Sequence, residues 1–323
     1  HPMPPIFDTL LGNLMVPTIL LFVRVLIAAF ARRDLSIPEG AAKFMSLYLL
    51  LAIGFKGGSS LADYGLHIDM FVTIGLGVLL SFALPFIAFL LLRSMTQLDT
   101  MNAAAVAGHY GSISIVTFVA ATSLLELTGL TYDGYMVAVA AAMEVPAILS
   151  ALWIAHKFSG QGASGPGLYR DLLANGSIVL LVGAFAIGAA TGTDGMAMIA
   201  PFVVTPFTGI LCLFLLDMGL NAGRSLLKNK HLLSAGLFAF GILMPLIGAM
   251  LAWVLGSMAG LQDGSQFLLM VLSASASYIA VPAAMKIALP KAEAGIYLTL
   301  SLGVSFPFNI TLGLPLYLWL AGL

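Results

Sequence analysis

A chain of 323 residues that is 60% hydrophobic and 8% charged, with a mean hydropathy of +1.06, carries more apolar surface than a water-soluble core of that size can bury. It reads as an all-α polytopic membrane protein, and a net charge of −1 offers nothing to a nucleic-acid partner. Cys212 is the only cysteine, so an internal disulfide framework and a cysteine metal site are both excluded.

Ten apolar stretches have the length of about 17–25 residues that a hydrocarbon layer of roughly 30 Å demands. In chain order they cover 14–31, 41–56, 68–92, 101–124, 133–156, 174–191, 197–222, 232–258, 265–286 and 294–321. The first lacks the short apolar core and small-residue cleavage pattern of a removable signal peptide, and is expected to stay in the membrane. The charges orient the set. Arg32, Arg33, Lys43, Arg93, Lys157, Arg170, Arg224, Lys228, Lys230, Lys286 and Lys291, 11 of the 13 basic residues, fall on one side. Asp8, Asp63, Asp69, Glu126, Asp133, Asp194 and Asp263 fall on the other, with Lys56 as the one base near them. The positive-inside rule then places both termini outside the cytoplasm.

The two halves resemble each other. Leu51-Ala-Ile-Gly54-Phe-Lys-Gly-Gly58-Ser-Ser60-Leu61 lies over Leu216-Asp-Met-Gly219-Leu-Asn-Ala-Gly223-Arg-Ser225-Leu226, with five of eleven positions shared at the 165-residue offset from Gly54 to Gly219. An odd number of spans separates the copies, so they run in opposite directions: a five-plus-five inverted repeat. The expected organisation is a first repeat at 1–156, a cytoplasmic linker at 157–173 rich in glycine and serine (Ser159 to Gly167), and a second repeat at 174–323.

Spans four and nine are interrupted by polar, small residues: Gly108-His109-Tyr110-Gly111-Ser112-Ile113-Ser114-Ile115-Val116-Thr117 and Ser273-Ala274-Ser275-Ala276-Ser277-Tyr278. The 165-residue offset carries Ser112–Thr117 onto Ser277–Pro282, so the breaks are in register. At membrane depth such backbone must line a cavity or meet another helix. Two crossed broken helices would aim the N-termini of their second halves, near Ile115 and Ala280, at one point. Ser112, Ser114, Thr117, Ser275 and Ser277 supply hydroxyls that can donate to an oxyanion. Neither break holds Lys or Arg, which suits a small, singly charged, oxygen-rich anion better than a phosphate ester. Close helix packing is the competing explanation for small residues in a membrane.

Glu144, followed by Val145-Pro146, and Asp217 are the two acids well inside spans, where an acid is costly and marks an ion or proton pathway. Pro146 frees backbone carbonyls beside Glu144, and the repeat counterpart around Ser305-Phe-Pro307-Phe-Asn309 again offers a proline and polar oxygens. Carboxylate, hydroxyl and carbonyl oxygens together suit a hard cation such as sodium. Asp217 is expected in an ion pair or hydrogen bond to neighbouring helices, and Arg24 in span one is the basic partner open to either acid, or snorkels. His109 and Ser114 could be drawn as base and nucleophile of an intramembrane hydrolase. Five residues turn a helix by about 500°, which parts the side chains, and no Gly-x-Ser-x-Gly is present. A structural or pH-sensitive histidine fits better.

With these residues in view, the chain resembles the sodium-dependent bicarbonate transporter family, the permeases of cyanobacterial type and their bacterial homologues. The likeness runs over nearly the whole length. It rests on Pro17-Thr18, Ile37-Pro38-Glu39, Ile53-Gly54-x-x-Gly57-Gly58, the Gly108–Thr117 break, Glu144-Val-Pro146-Ala147, the serine-rich break at 273–277, and Pro307 followed by Pro315.

The resemblance implies ten spans in two inverted repeats, a mobile core domain against a gate domain, a homotrimer among membrane lipids, and sodium-coupled bicarbonate uptake across a bacterial inner membrane. Sodium is the coupling ion, and no other cofactor and no enzymatic activity are expected. The substrate residues implied are Gly111, Ser112, Ser114, Thr117, Ser277, Tyr278 and Ala280. The cation set is expected from Ser114, Thr117, Glu144, Ser275 and Asn309. Two departures stand out. The family pattern has aspartate where Tyr278 stands, and serine-glycine at Ala280-Val281. The longer cytoplasmic linker is also missing, which weakens the case for a PII-like regulatory partner. Within the same architecture another small anion, such as a short carboxylate, or a driving proton is the alternative.

Overall fold

In the computed structural model, residues 20, 23–24, 27, 37–65, 67–159, 176–261, 263–278, 281–282, 285 and 289–322 are described. Span one therefore lies almost wholly outside the described residues, as do most of the linker, Arg170, Lys286 and most of the second half of span nine with Ala280. The described secondary structure is all helical, with eight helices long and apolar enough to cross a membrane.

The helices are α1 Glu39–Tyr64, α2 Ile68–Met95, α3 Thr100–Gly111, α4 Ile115–Thr128, α5 Met136–Ala142, α6 Glu144–Ser159, α7 Gly176–Val203, α8 Phe207–Asn229, α9 Ala235–Met258, α10 Asp263–Ala274 and α11 Ala294–Leu320. Local chemistry sets many of their ends. Asp99 caps α3, its carboxylate accepting from the Met101 and Asn102 N–H groups at 2.9 and 3.0 Å, and Ser234 caps α9. Gly129 after α4 and Gly260 after α9 have φ of 72° and 80°. Leu130 then donates to the Leu125 carbonyl, and Leu261 to that of Gly256, each at 2.9 Å, so the last carbonyls are satisfied inside the chain.

Spans six and seven part at Gly192, between the expected ends at 191 and 197: its φ of 59° and ψ of −148° break the helix inside Gly176–Val203. Before the break α7 runs along α1, with Gly54 against Leu181, Gly58 against Phe185 and Gly192 near Ala62. After it the chain doubles back, so that Phe202 meets Tyr48 edge-on with ring centroids 5.2 Å apart and its carbonyl accepts from the Tyr48 hydroxyl at 2.6 Å. Glycine takes the positive φ without a Cβ clash. A second turn at 204–206, where Pro206 precedes α8, completes the connection.

Two packed groups result. In the first, α1 packs against α7 and α8, and α8 packs also on α11 of the second. The contact of α1 with α7 is backbone to backbone: a Cβ on Gly58 would fall 1.9 Å from the Phe185 carbonyl oxygen. With Gly54 this forms a Gly-x-x-x-Gly face that lets two helices touch. The second group contains α2 to α6 with α9, α10 and α11. Its centre is α3 and the start of α4, where Ala103 to Ser114 are buried without exception. Span ten is one rod whose turns widen to π-helical at Thr299–Ser305 and Asn309–Gly313, on either side of Pro307.

Candidate functional site

The first break is short. Helix α3 stops at Gly111, Ser112-Ile113-Ser114 is extended, and α4 starts at Ile115. Gly111 is required there, because a Cβ would strike the Pro85 ring of α2 at 2.4 Å. Ser114 caps α4: its Oγ accepts from the Thr117 N–H at 3.2 Å and from the Thr117 hydroxyl at 2.9 Å. Both bonds use the lone pairs of Ser114, so its own proton stays available to an acceptor.

The second break begins after Ala274 and is bonded directly to the first. The Ser114 N–H donates to Ser275 Oγ at 2.9 Å, and the Ser277 N–H donates to the His109 carbonyl at 2.8 Å. Ser275 passes its own proton to the Leu272 carbonyl, and Ser277 Oγ accepts from the Val281 N–H. Backbone groups that a bilayer could not satisfy are thus paired between the two broken helices. The C-terminal ends of α3 and α10 and the N-terminal end of α4 meet here, bringing both signs of helix dipole to one place.

Two side chains from neighbouring helices hold the stopped ends. Ser112 Oγ donates to Glu144 Oε2 at 2.9 Å, and Glu144 is the first residue of α6, placed by a one-residue interruption of span five at Met143. Asn309 lies 165 positions after Glu144. Its Nδ2 donates to the Ala274 carbonyl at 2.9 Å, and its Oδ1 accepts from Tyr317 at 2.8 Å. Both of its amide ends are therefore engaged.

Tyr278 packs its ring edge-on against Phe306 at 5.2 Å, and its buried hydroxyl, facing Ser114, has no hydrogen-bond partner among the described residues. His109 gives Nδ1 to the Ala105 carbonyl at 2.7 Å and stacks on Tyr297 with centroids 4.5 Å apart. Ser114 bonds to Thr117 and Ser275 and not to His109 among the described residues, so the geometry of a base-nucleophile pair is not formed. Asp217 is buried in α8 and accepts from Asn221 at 3.1 Å. Arg24 is exposed and pairs with neither acid among the described residues.

No group of three or more His, Cys, Asp or Glu side chains clusters among the described residues. A cation at this crossing would rest on one carboxylate with hydroxyl and carbonyl oxygens, a donor set that fits sodium. Gly111, Ser112, Ser114, Thr117, Ser275, Ser277, Tyr278 and Glu144 are drawn into one neighbourhood; Asn309 reaches it through the end of α10, and Ala280 is outside the described residues. Sequence reasoning missed Tyr110, whose hydroxyl bonds Ser305 at 2.6 Å, with Ser305 donating on to the Gly241 carbonyl at 2.5 Å. It is the carbonyl that Pro245 leaves without its helical donor, so a proline four residues after Gly241 was the available signal. Ser273 was singled out only as part of the break; its buried hydroxyl has no partner among the described residues.

Residues 17–322 match the sequence family described as the Na+-dependent bicarbonate transporter superfamily. The chain belongs to this superfamily. No curated protein matches it. Membership in the Na+-dependent bicarbonate transporter superfamily agrees with a multi-pass helical membrane protein. Both sodium and bicarbonate are ligands for oxygen-rich and hydroxyl-rich surroundings of the kind assembled between the two breaks.

Proposed function

We propose that this protein is a secondary active transporter that takes up bicarbonate together with sodium, binding both at the crossing of spans four and nine. The observation that carries this is the pairing of the breaks: Ser114 N–H to Ser275 Oγ and Ser277 N–H to the His109 carbonyl. Discontinuous helices joined at mid-span, with helix ends of both signs converging, are the way membrane transporters hold small ions. Gly111, Ser112, Ser114, Thr117, Ser277, Tyr278 and Ala280 serve the anion; Ser114, Thr117, Glu144, Ser275 and Asn309 serve the cation.

Ten spans in two inverted repeats form the framework. Two contacts support the repeat beyond the breaks. Gly134 sits against Ser60, where a Cβ on the glycine would approach within 2.5 Å of the Ser60 Cβ. At the 165-residue offset, Thr299 hydrogen-bonds Ser225 at 3.0 Å. Each joins a helix of the α1–α7–α8 group to the other group, the first through the turn before α5 and the second through α11, so the first group is assigned as the gate and the second as the moving core. Transport proceeds by an elevator or rocking displacement of that core, in a homotrimer in a bacterial inner membrane with both termini outside. A PII-like regulator fits poorly with the short linker.

The test is uptake of labelled bicarbonate into proteoliposomes under an imposed sodium gradient. Uptake should follow the gradient and fall in Ser114→Ala and Glu144→Gln; uptake indifferent to sodium would remove the coupling. The Tyr278 hydroxyl, unpartnered among the described residues and standing where a family carboxylate was expected, favours testing a second cargo. A panel of short carboxylates competing against bicarbonate, run with and without a proton gradient, separates that reading.

A further inference from the structure

Ser81 stands in α2, far in sequence from either break, yet it touches both sides of the Ser112–Glu144 pair. Its buried hydroxyl donates to the Met143 carbonyl at 2.6 Å. Met143 is the single residue between α5 and α6, and Glu144 follows it directly. The backbone carbonyl of Ser81 lies four residues before Pro85, which has no N–H to return to it. That carbonyl sits against Gly111, where a Cβ would come within 2.7 Å of its oxygen. Gly111 is the last residue of α3, next to Ser112.

One residue thus braces the peptide before the acid through its side chain and the end of α3 through its backbone. The Met143 carbonyl needs a donor at a place where Pro146 already disturbs the helix. Without the Ser81 hydroxyl the Met143 carbonyl loses this donor, and the turn that aims Glu144 at Ser112 is free to shift.

We propose that Ser81 is a positioning residue for Glu144, holding its carboxylate toward Ser112 and so setting the affinity for the coupling cation. This rests on the reading of Glu144 as a cation ligand. The Ser81 hydroxyl bonds outside both polar breaks, and packing alone does not call for a hydroxyl at a buried site in an apolar helix.

The experiment uses the full chain purified in detergent, with two readouts. One is labelling of Glu144 by a hydrophobic carbodiimide; the other is thermal stabilisation by sodium chloride against choline chloride. Sodium should slow the labelling and raise the melting temperature. Ser81→Ala should raise the sodium concentration for half-maximal effect about 5-fold, the factor one net hydrogen bond is worth, and should change the labelling rate by a similar factor. Ser81→Thr keeps the donor and should match the parent. Where Ser81→Ala does not fold, Ser81→Cys, a weak donor of similar size, takes its place. In a Glu144→Gln background the Ser81 change should add nothing to the sodium response. Equal labelling rates and sodium responses in parent and Ser81→Ala would overturn the proposal, as would an equal loss in the Glu144→Gln background. If sodium protects nothing in the parent, the cation reading of Glu144 fails, and the labelling rate alone then decides for or against Ser81.

Discussion

Ser114 and Ser275 are 161 residues apart in sequence, and the backbone N–H of the first donates to the hydroxyl of the second at 2.9 Å in a buried setting. That bond joins the first break to the second, and it satisfies an N–H that α4 leaves open at its start. Ser275→Ala removes the acceptor and strands the donor. The expected cost is about 1–3 kcal/mol, the desolvation penalty of an unpaired buried group. Ser275→Thr, which restores the oxygen, should recover most of it. Thermal unfolding in detergent reads both, and an Ala variant as stable as the parent would show that the N–H has another partner.

Glu144→Gln keeps an acceptor for Ser112 Oγ, whose bond to Glu144 is 2.9 Å, so the fold should tolerate it. What it removes is charge. The sodium concentration for half-maximal uptake should rise about tenfold or more, the order of a lost ion contact of about 1.5–3 kcal/mol, while melting without sodium changes little. A variant with unaltered sodium dependence would move the cation site elsewhere.

Tyr278 separates binding from stability. Its hydroxyl has no hydrogen-bond partner among the described residues, so Tyr278→Phe loses none of the described hydrogen bonds and should leave stability equal or raise it by up to about 1 kcal/mol. If the hydroxyl donates to the anion, the KM for bicarbonate should rise about 5- to 10-fold, again by about one hydrogen bond. Flux measurements at saturating sodium give the KM, and an unchanged value would make Tyr278 a space-filler against Phe306.

Lys56 and Glu126 form an ion pair at 2.8 Å, and it links α1 to α4 across the two groups. Lys56 also lies 4.9 Å above the Phe207 ring of α8. With 20% and 41% of the two side chains exposed, the pair is worth under about 1 kcal/mol and weakens with salt. Lys56→Met or Glu126→Gln should therefore cost little stability. Because the pair must open if the groups slide, either variant should change the uptake rate by about 2- to 5-fold, matching that energy. The charge-swapped Lys56→Glu/Glu126→Lys protein should return toward the parent rate, which initial-rate uptake will show.

Much of this was legible in the chain. Hydropathy over a span is a local sum, so the described spans appear where the apolar runs stand, and the breaks at 108–117 and 273–278 show as polarity where none is expected. The parting of spans six and seven was legible too: the stretch from Thr191 to Gly195 has a loop's composition, and the helix breaks at Gly192. Ser81 was invisible. A single serine in an apolar run has no periodic or compositional signature, and its partner, Met143, lies 62 residues away. The same holds for Lys56 with Glu126, 70 residues apart.

By itself the sequence determined that this chain is a polytopic helical membrane protein with two polar interruptions in register, because membrane insertion and helix breaking depend on residues that are neighbours along the chain. Only the tertiary structure decided which donor meets which acceptor: Ser114 with Ser275, Ser277 with His109, Ser112 with Glu144, and no partner for the Tyr278 hydroxyl among the described residues. Hydrogen bonds between residues far apart in sequence follow from how helices pack, and small polar residues look alike in sequence until packing gives each one its partner.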